Sequence, residues 1–528
     1  MNKYNFSHYQ SNDIFEKTWI WWTLSLHVLV WVTAHGIADT NLDAYADMLE
    51  SFAWGQEWSW GHAKHPPLFA WVTGAWFKAF PRLDLAYHLL SYTNVVIGLL
   101  GVYRLAQLMG HPELALASVI LLSMSFPYST LAVKFNANAI LLSVWPWVAV
   151  AWQQSIRTPK RLGLMESVGL GLLAALAMLG KYYSGVLLLA LFLATLSSGQ
   201  GRQWLISPKP WLSLSVFLVI MLPHLNWLRS HEFVTLHYVS EQSGTPSAKW
   251  PMLLKFAIAP IAYWLIPWLL CTGLFVPKEL SWNRALITWP ARIVRSWKPN
   301  GWSDTLFWLA SLPWAVTLAF GISGFVELSL PWAIPIGFGF SLLWLRNLKK
   351  DSKSFAQAME RLIYALKIWW LVVVLVSPWY AWHQAQQGDE NYYLPRREAA
   401  TALLQTWRER HPDTPLEWVG GQWAENALLA FYGAPELRVI PGVPNEFPAI
   451  VTPLANWQKR AGLLLCPLGP GTGSNASHSE CPMHMRAWLQ TQGQATAPII
   501  ITVQSVGIRF PQTRPFTYMA FEYLPLKP

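Results

Sequence analysis

Apolar and polar positions follow each other along the chain in long blocks. Apolar runs such as residues 19–34 and 368–382 approach the roughly 20 residues that a helix needs to cross about 30 Å of hydrocarbon. Polar or charged stretches separate these runs. The pattern predicts about eleven membrane-spanning helices, at residues 19–35, 88–108, 113–130, 138–153, 163–180, 183–199, 211–228, 252–276, 303–323, 331–346 and 363–381.

Two segments depart from this pattern. The connection at 36–87 is long and rich in aromatic and acidic residues, so we expect it to fold onto the membrane surface. The tail is polar, with short β-prone runs at 416–420, 462–466 and 499–503 between helix-like and Gly/Pro-rich stretches. The sequence therefore predicts an α-helical membrane domain at 1–381, which includes the first loop, and a small soluble α/β domain at 382–528.

Composition agrees with a membrane protein. Hydrophobic residues make up 53% of the chain and charged residues only 12%, whereas soluble domains carry about 25% charged residues. The net charge of +10 is spread over the connections, which argues against nucleic acid as a partner. Basic residues concentrate in alternate connections, so the positive-inside rule places the N-terminus in the cytoplasm and the tail outside it.

Two of the three cysteines, Cys466 and Cys481, lie in the tail and flank a loop rich in Gly and Ser. Their spacing matches no ordinary zinc finger. If the tail lies outside the cytoplasm, we expect them to form a disulfide that closes this loop.

The first loop contains a regular series of carboxylates, in "HGIADTNLDAYADMLESFAWG" at 35–55. Asp39, Asp43 and Asp47 recur every four residues, so Asp43, Asp47 and Glu50 would share one face of a helix. A solvated acidic face would explain the series. The alternative is a reactive carboxylate at the membrane surface, where it can meet both a lipid headgroup and a water-borne substrate.

The next motif, "GHAKHPPLFAWV" at 61–72, reads as a helix start. Pro66 and Pro67 suit a first helical turn because that turn's amide hydrogens are unpaired. They do not explain His62, Lys64 and His65, because a helix N-terminus already carries positive partial charge. Either these residues are merely solvated, or they form a phosphate site.

Further polar groups lie beside apolar runs on the same predicted side of the membrane. "KFNAN" carries Lys134 with Asn136 and Asn138, and "GKYY" carries Lys181 and Tyr182. Lysines at such depths either extend to the headgroups or face a cavity. A fourth cluster, "LPHLNWLRSHEF", ends one run and contains Arg229.

Together these motifs resemble the bacterial branch of the protein O-mannosyltransferase-like glycosyltransferases, which includes the lipid A aminoarabinose transferases. The resemblance covers roughly residues 15–380. It implies a GT-C fold in the bacterial inner membrane, a donor sugar on undecaprenyl phosphate, and a periplasmic domain after the last span. The family places a catalytic Asp in the first loop, often as an Asp-Glu pair that this chain lacks. Asp43 is the best match, with Asp39 and Asp47 as alternatives.

The resemblance implies transfer of the sugar, with inversion, to a hydroxyl of lipid A, another glycan or a protein on the periplasmic side. Membrane lipids are the other expected partner. Some relatives bind a divalent metal, but the sequence defines no ligand set for one. A transporter or flippase of lipid-linked sugars is the alternative, although the chain shows no internal repeat. The residues expected to bind the donor phosphate are Lys181, His65, Lys64, Lys134, Arg229 and Tyr182. Those expected at the acceptor or sugar are Tyr45, Trp54, Asn136 and Asn138.

Overall fold

The computed structural model describes most of the chain. The described residues are 4–39, 42, 46–157, 163–241, 249–276, 282–324, 326–348, 352–387, 394–434, 436–440, 456–470, 480–495, 497–505 and 515–525.

Helices dominate the part of the chain before the tail. They are α1 (Tyr4–Ala38), α2 (Asp47–Gly55), α3 (Leu68–Ala79), α4 (Asp84–Leu108), α5 (Ala115–Ser123), α6 (Ile140–Arg157), α7 (Leu164–Gly180), α8 (Ser184–Ser197), α9 (Gly199–Leu205), α10 (Lys209–Ser230), α11 (Val234–Glu241), α12 (Lys249–Tyr263), α13 (Leu265–Leu274), α14 (Trp282–Ile287), α15 (Trp289–Ser296), α16 (Thr305–Ile322), α17 (Phe340–Leu348) and α18 (Ser352–Gln387). Short 3-10 helices lie at Pro112–Leu114, Phe126–Tyr128, Thr130–Val133, Leu330–Ala333 and Ile336–Gly339.

Every predicted span coincides with helical structure, but the helices differ in length. Within the described residues, five helices are long and apolar enough to cross a membrane, and three bent pairs bring the number to as many as eight. The predicted segments at 138–153, 163–180 and 331–346 coincide with α6, α7 and α17, which fall outside those eight. The total of about eleven spans stays a prediction.

The bundle packs in the manner of membrane helices. Near Gly98 of α4 the backbone of α6 comes so close that a Cβ atom would collide with the carbonyl oxygen of Leu142. Small residues allow such close contact between helices in lipid. Indole N–H groups of α6 donate hydrogen bonds to hydroxyls of α8, from Trp145 to Ser184 and from Trp152 to Thr195. Large apolar side chains on the outer faces of α1, α10 and α18 are exposed, as expected of lipid contact.

Two short helices of the first loop cross in direct backbone contact. A Cβ atom at Gly55 of α2 would lie 2.7 Å from the carbonyl oxygen of Ala70 in α3, and one at Gly74 would meet the backbone of Gly55. Only glycine fits at such a crossing. The contact fixes the angle between α2, which carries the carboxylates, and α3, which follows the "KHPP" motif.

The tail folds around a five-stranded mixed sheet. Its strands are β1 (Trp418–Gly421), β2 (Arg438–Val439), β3 (Gly462–Pro470), β4 (Pro498–Val503) and β5 (Phe516–Tyr523), in the order β2-β1-β3-β5-β4. The tail's helices are α19 (Arg396–Arg410), α20 (Leu428–Tyr432) and α21 (Glu480–Thr491), with 3-10 turns at Glu425–Ala427 and Trp457–Lys459. The pairs β1-β2 and β1-β3 are parallel, and the pairs β3-β5 and β4-β5 are antiparallel.

Side chains of the tail enter the first loop. Phe431 of α20 contacts Phe52, Phe77 and Tyr87, with ring centroids 5.1, 5.4 and 5.9 Å away. Arg82 donates a hydrogen bond of 2.7 Å to the carbonyl oxygen of Ala430. The sheet region is therefore packed against α2, α3 and α4.

Cys466 of β3 and Cys481 of α21 are joined in a disulfide, with Cα atoms 5.8 Å apart and a sequence separation of 15. A cross-link of this loop length restricts the unfolded chain and contributes about 3 kcal/mol to stability.

We expect Cys481→Ser to lower the unfolding free energy of the tail by about that amount, measured by thermal unfolding of purified protein. Free thiols at both positions in protein from its native membrane would contradict the bond.

Candidate active site

A cavity of about 780 Å³ lies where the first-loop helices meet the bundle. Its lining divides by chemistry into polar or charged side chains, which we call the polar wall, and mainly apolar side chains, which we call the apolar wall. The polar wall includes Asp47, Glu50, Ser51, Lys64, His65, Asn136, Asn138, Lys181, Tyr182 and Tyr238. The apolar wall includes Val186, Met252, Phe320, Val326, Glu327, Leu328, Leu330 and Trp332.

Asp47 opens α2 and is held from the "KFNAN" segment. Its Oδ2 accepts the Nζ of Lys134 at 2.8 Å and the Nδ2 of Asn136 at 3.0 Å. Asn136 also closes the turn before α6, because its Oδ1 accepts hydrogen bonds from the backbone N–H groups of Asn138 and Ala139. Within the described part of the chain, Oδ1 of Asp47 accepts no hydrogen bond. One carboxylate oxygen is thus fixed while the other is available to a substrate.

The backbone before Asp47 is strained. Ala46 has a φ of 59° in the left-handed region, which costs an alanine free energy. Strain of this kind persists where surrounding contacts impose it, often at a functional site. Here it sets the start of α2 and the direction of Asp47.

Glu50 and Lys64 form a second charged pair on the polar wall. The Nζ of Lys64 lies 2.7 Å from the Oε1 of Glu50. Burial raises the pKa of the Glu50 carboxyl, and the charge of Lys64 offsets part of that effect. The pair therefore holds a lysine at the cavity surface against a buried carboxyl group whose charged form the lysine favours.

Lys181 lies in the short connection between α7 and α8. Its extended backbone ends α7 and redirects the chain before α8. Its Nζ donates a 2.6 Å hydrogen bond to Oδ1 of Asn138. Burial lowers the pKa of Lys181 to about 8, although the charge of Asp47 works in the opposite direction. Because the ammonium group of Lys181 is buried and its partner Asn138 is neutral, an incoming anion can stabilise its charged form.

The histidines before α3 do not supply the positive charge suggested by the sequence. His62 is buried in a stack with Trp54 at 4.8 Å, and burial lowers its pKa to about 3. Burial, followed by the charges of Lys181 and Lys64, holds the pKa of His65 well below its usual value. Both rings are neutral at pH 7, so Lys64 provides the charge of this motif. His65 lines the cavity as a polar neutral ring.

A chain of hydrogen bonds fixes Tyr182. The backbone oxygen of Trp60 accepts a bond of 2.6 Å from Nδ1 of His224, so the other ring nitrogen, Nε2, accepts the hydroxyl proton of Tyr182 at 2.7 Å. The "LPHLN" segment of α10 is thereby tied both to the first loop and to the "GKYY" connection.

The structure brings most of the predicted site residues together. The predicted residues that line this cavity are Asp47, Lys64, His65, Asn136, Asn138, Lys181 and Tyr182. Lys134 contacts Asp47. Asp43 and Tyr45 lie outside the described residues.

Three predicted residues are not brought to the cavity. Trp54 is 3% exposed and contacts the rings of His62 and Phe69, so packing accounts for it. Arg229 is exposed near the end of α10, away from the lining. Asp39 pairs with His35 at 2.7 Å, also outside the lining.

Other lining residues were not selected from the sequence as site residues. The sequence indicated Glu50 only as part of an acidic helix face. Its spacing of three residues from Asp47 is the pattern that could have identified it as a site residue. Tyr238 and Glu327 follow spans without a distinctive motif. The tail residue Trp423, which contacts Glu50, carries no local signal at all. Within the described residues, no three His, Cys, Asp or Glu side chains lie together so as to hold a metal ion.

Comparison with known proteins identifies the fold. Residues 64–227 match the family described as dolichyl-phosphate-mannose-protein mannosyltransferase. No curated protein matches the chain by sequence.

Two solved structures cover nearly the whole chain. ArnT from Cupriavidus metallidurans bound to undecaprenyl phosphate aligns with a TM-score of 0.55 and 13% identity, over 95% of this chain and 98% of ArnT. The apo structure of the same protein aligns over the same shares with a TM-score of 0.55 and 14% identity. An oligosaccharyltransferase of Archaeoglobus fulgidus aligns with a TM-score of 0.41 and 12% identity, over 81% of this chain and 62% of that chain.

The match to ArnT confirms the fold class expected from the sequence motifs. The chain is a multi-pass membrane protein with the GT-C glycosyltransferase fold, and its residues 64–227 carry the sequence signature of the dolichyl-phosphate-mannose-protein mannosyltransferases.

Proposed function

We propose that the protein transfers a sugar from a polyprenyl-phosphate donor, undecaprenyl phosphate in a bacterium, to an acceptor hydroxyl. The observation that carries this proposal is the mixed lining of the cavity, which combines lysines and carboxylates with many apolar side chains. A lipid phosphate combines a charged group and an apolar chain in the same way. The ArnT structure that this chain resembles holds undecaprenyl phosphate, which supports the same class of donor.

In this proposal Lys181 and Lys64 bind the donor phosphate. Both line the cavity, and an ammonium group can donate hydrogen bonds to phosphate oxygens. The neutral ring of His65 and the hydroxyl of Tyr182 add polar contacts. The polyprenyl chain would lie against the apolar wall, which includes Phe320.

The proton acceptor that the geometry favours is Asp47. An acceptor oxygen attacks the anomeric carbon and gives its proton to Oδ1 of Asp47, while the bond from that carbon to the phosphate oxygen breaks. The electron pair leaves with the phosphate, whose growing charge Lys181 and Lys64 stabilise. A single displacement of this kind inverts the anomeric centre. The sequence-based choice, Asp43, is its rival.

We further propose that the site faces the periplasm from the inner membrane, with the N-terminus in the cytoplasm and residues 382–528 as a periplasmic domain. The distribution of basic residues supports this orientation. The acceptor would then be lipid A, another glycan or a protein.

Turnover of a defined lipid donor tests the function. We expect purified protein in detergent or nanodiscs to transfer sugar from a polyprenyl-phosphate sugar and to ignore the corresponding nucleotide sugar. Activity with the nucleotide sugar alone would contradict the donor assignment. Movement of the lipid-linked sugar across liposomes without chemical transfer would favour a flippase.

The lowered pKa of Lys181 predicts how donor binding depends on pH. With a pKa of about 8, the side chain is charged below that pH and neutral above it. We therefore expect the affinity for polyprenyl phosphate to fall as the pH rises through about 8. Lys181→Arg should flatten this fall because guanidinium stays charged, whereas Lys78→Arg should leave it unchanged. A flat profile in the wild type would contradict the role of Lys181.

A further inference from the structure

A tryptophan from the C-terminal sheet region reaches a charged residue of the cavity. Trp423 follows β1, and its indole Nε1 donates a 2.6 Å hydrogen bond to Oε1 of Glu50. The same oxygen accepts the ammonium group of Lys64 at 2.7 Å. One carboxylate oxygen thus connects a tail residue with a lysine of the proposed phosphate site.

The position of Trp423 is fixed from both sides. On the loop side its ring centroid lies 5.6 Å from that of Trp54. On the tail side the residue before it, Gln422, donates its backbone N–H to the carbonyl oxygen of Leu465 in β3. Only 8% of the Trp423 side chain is exposed. The indole N–H is therefore held towards Glu50 by the packing of two regions far apart in sequence.

Glu50 needs such donors because it is buried. Burial raises the pKa of its carboxyl, and hydrogen bonds from Lys64 and Trp423 each favour the charged form. The titratable groups that face Glu50 are Lys64, Asp47 of its own helix and Tyr238 of α11. Removing the indole donor shifts Glu50 towards the neutral acid, which attracts the ammonium group of Lys64 less strongly.

We propose that Trp423 is a positioning residue for Lys64, so that the tail completes the site that binds the donor phosphate. The inference rests on the proposed function for its effect on turnover. It gives the tail a role in the reaction itself: Trp423 keeps Glu50 ionised and oriented, and Glu50 keeps Lys64 at the cavity wall.

The first test is Trp423→Phe in the full-length protein. Phenylalanine retains an aromatic ring beside Trp54 but has no N–H to donate. We expect roughly tenfold lower kcat/KM for the lipid donor, and we expect the acid limb of the pH-rate profile to move to higher pH. Trp457→Phe is the matched control, because Trp457 packs on Trp418 and Trp488 in a separate cluster of the tail. It should leave both quantities unchanged.

A double-mutant cycle separates positioning from a general loss of structure. If Trp423 acts through Glu50, Trp423→Phe should cost little more in a Glu50→Gln background, since its partner is already neutral. Additive losses that follow a fall in Tm would instead assign Trp423 a purely structural role. Wild-type kcat/KM and pH profile in Trp423→Phe would also overturn the proposal.

A readout independent of turnover distinguishes this inference from the proposed function. Pulse acetylation followed by mass spectrometry reports how readily Lys64 loses its proton. We expect Lys64 to be labelled faster in Trp423→Phe than in wild type and Trp457→Phe. If this shift appears but no lipid donor is turned over, the proposed function fails and the positioning of Lys64 stands. If turnover occurs and labelling is unchanged, the positioning role fails.

Discussion

Asp47→Asn is expected to lower kcat about 1,000-fold, the middle of the range that removal of a general base produces. Asparagine preserves the shape of the side chain and can still face Lys134 and Asn136, but it cannot take a proton from the acceptor hydroxyl. Turnover of a polyprenyl-phosphate sugar by purified variants measures the effect, with donor binding expected to persist.

Two matched variants make this test specific. Asp39→Asn changes a carboxylate that pairs with His35 outside the cavity lining, so it should retain activity. Asp43→Asn addresses the residue favoured by sequence. If Asp43→Asn abolishes turnover while Asp47→Asn retains it, the assignment of Asp47 is wrong and Asp43 is the base.

Arg396→Met is expected to have the largest effect on stability. Arg396 is 2% exposed, and its guanidinium contacts both carboxylate oxygens of Glu425, at 2.8 to 3.1 Å. Removing one partner leaves the other charge buried, which costs about 3–5 kcal/mol. Pulse proteolysis of the tail in purified full-length protein measures the loss. Because Glu425 lies two residues after Trp423, the variant should also weaken turnover.

The neighbouring arginine provides the control. Arg397 pairs with Asp84 at 2.8 Å but is largely exposed, so Arg397→Met should cost no more than about 1 kcal/mol. Replacing both members of the buried pair, as Arg396→Met with Glu425→Leu, should recover much of the stability. Equal losses from Arg396→Met and Arg397→Met would contradict the assignment of the buried pair.

The fold could be predicted largely from local patterns. Every predicted apolar block coincides with helical structure, because the length of a span is set by the thickness of the bilayer. The short helices α11, α14 and α15 lie outside the predicted segments. The apolar blocks did not reveal where a span is bent or broken. The predicted segment at 113–130 is bent by 83° between α5 and the 3-10 turns that follow it. Hydroxyl groups of α4 satisfy the backbone there, since Tyr92 donates to the carbonyl oxygen of Ser129 and Ser91 to that of Val133.

The site was predictable where a polar residue interrupts an apolar run. Lys181, Asn136 and Asn138 stand out for that reason, and they share one cavity wall. Trp54 and the histidines show the limit of this reasoning. Their burial depends on contacts with distant segments, so neither the closed aromatic stack nor the neutral state of these rings can be read from neighbouring residues. The contact between Trp423 and Glu50 depends on the folded tail, so the sequence did not indicate it.

The contact between the tail and the first loop has a consequence for biosynthesis. Arg82 and Ala430 are separated by 348 residues. At a synthesis rate of about 5–20 residues per second, the ribosome needs roughly 20–70 s to progress from one to the other. During that interval the aromatic side chains of α2, α3 and α4 lack the ring of Phe431. A newly made first loop therefore exposes the aromatic surface that Phe431 covers in the folded protein until that residue has been synthesised. We expect proteases and other apolar surfaces to have access to the loop during this interval.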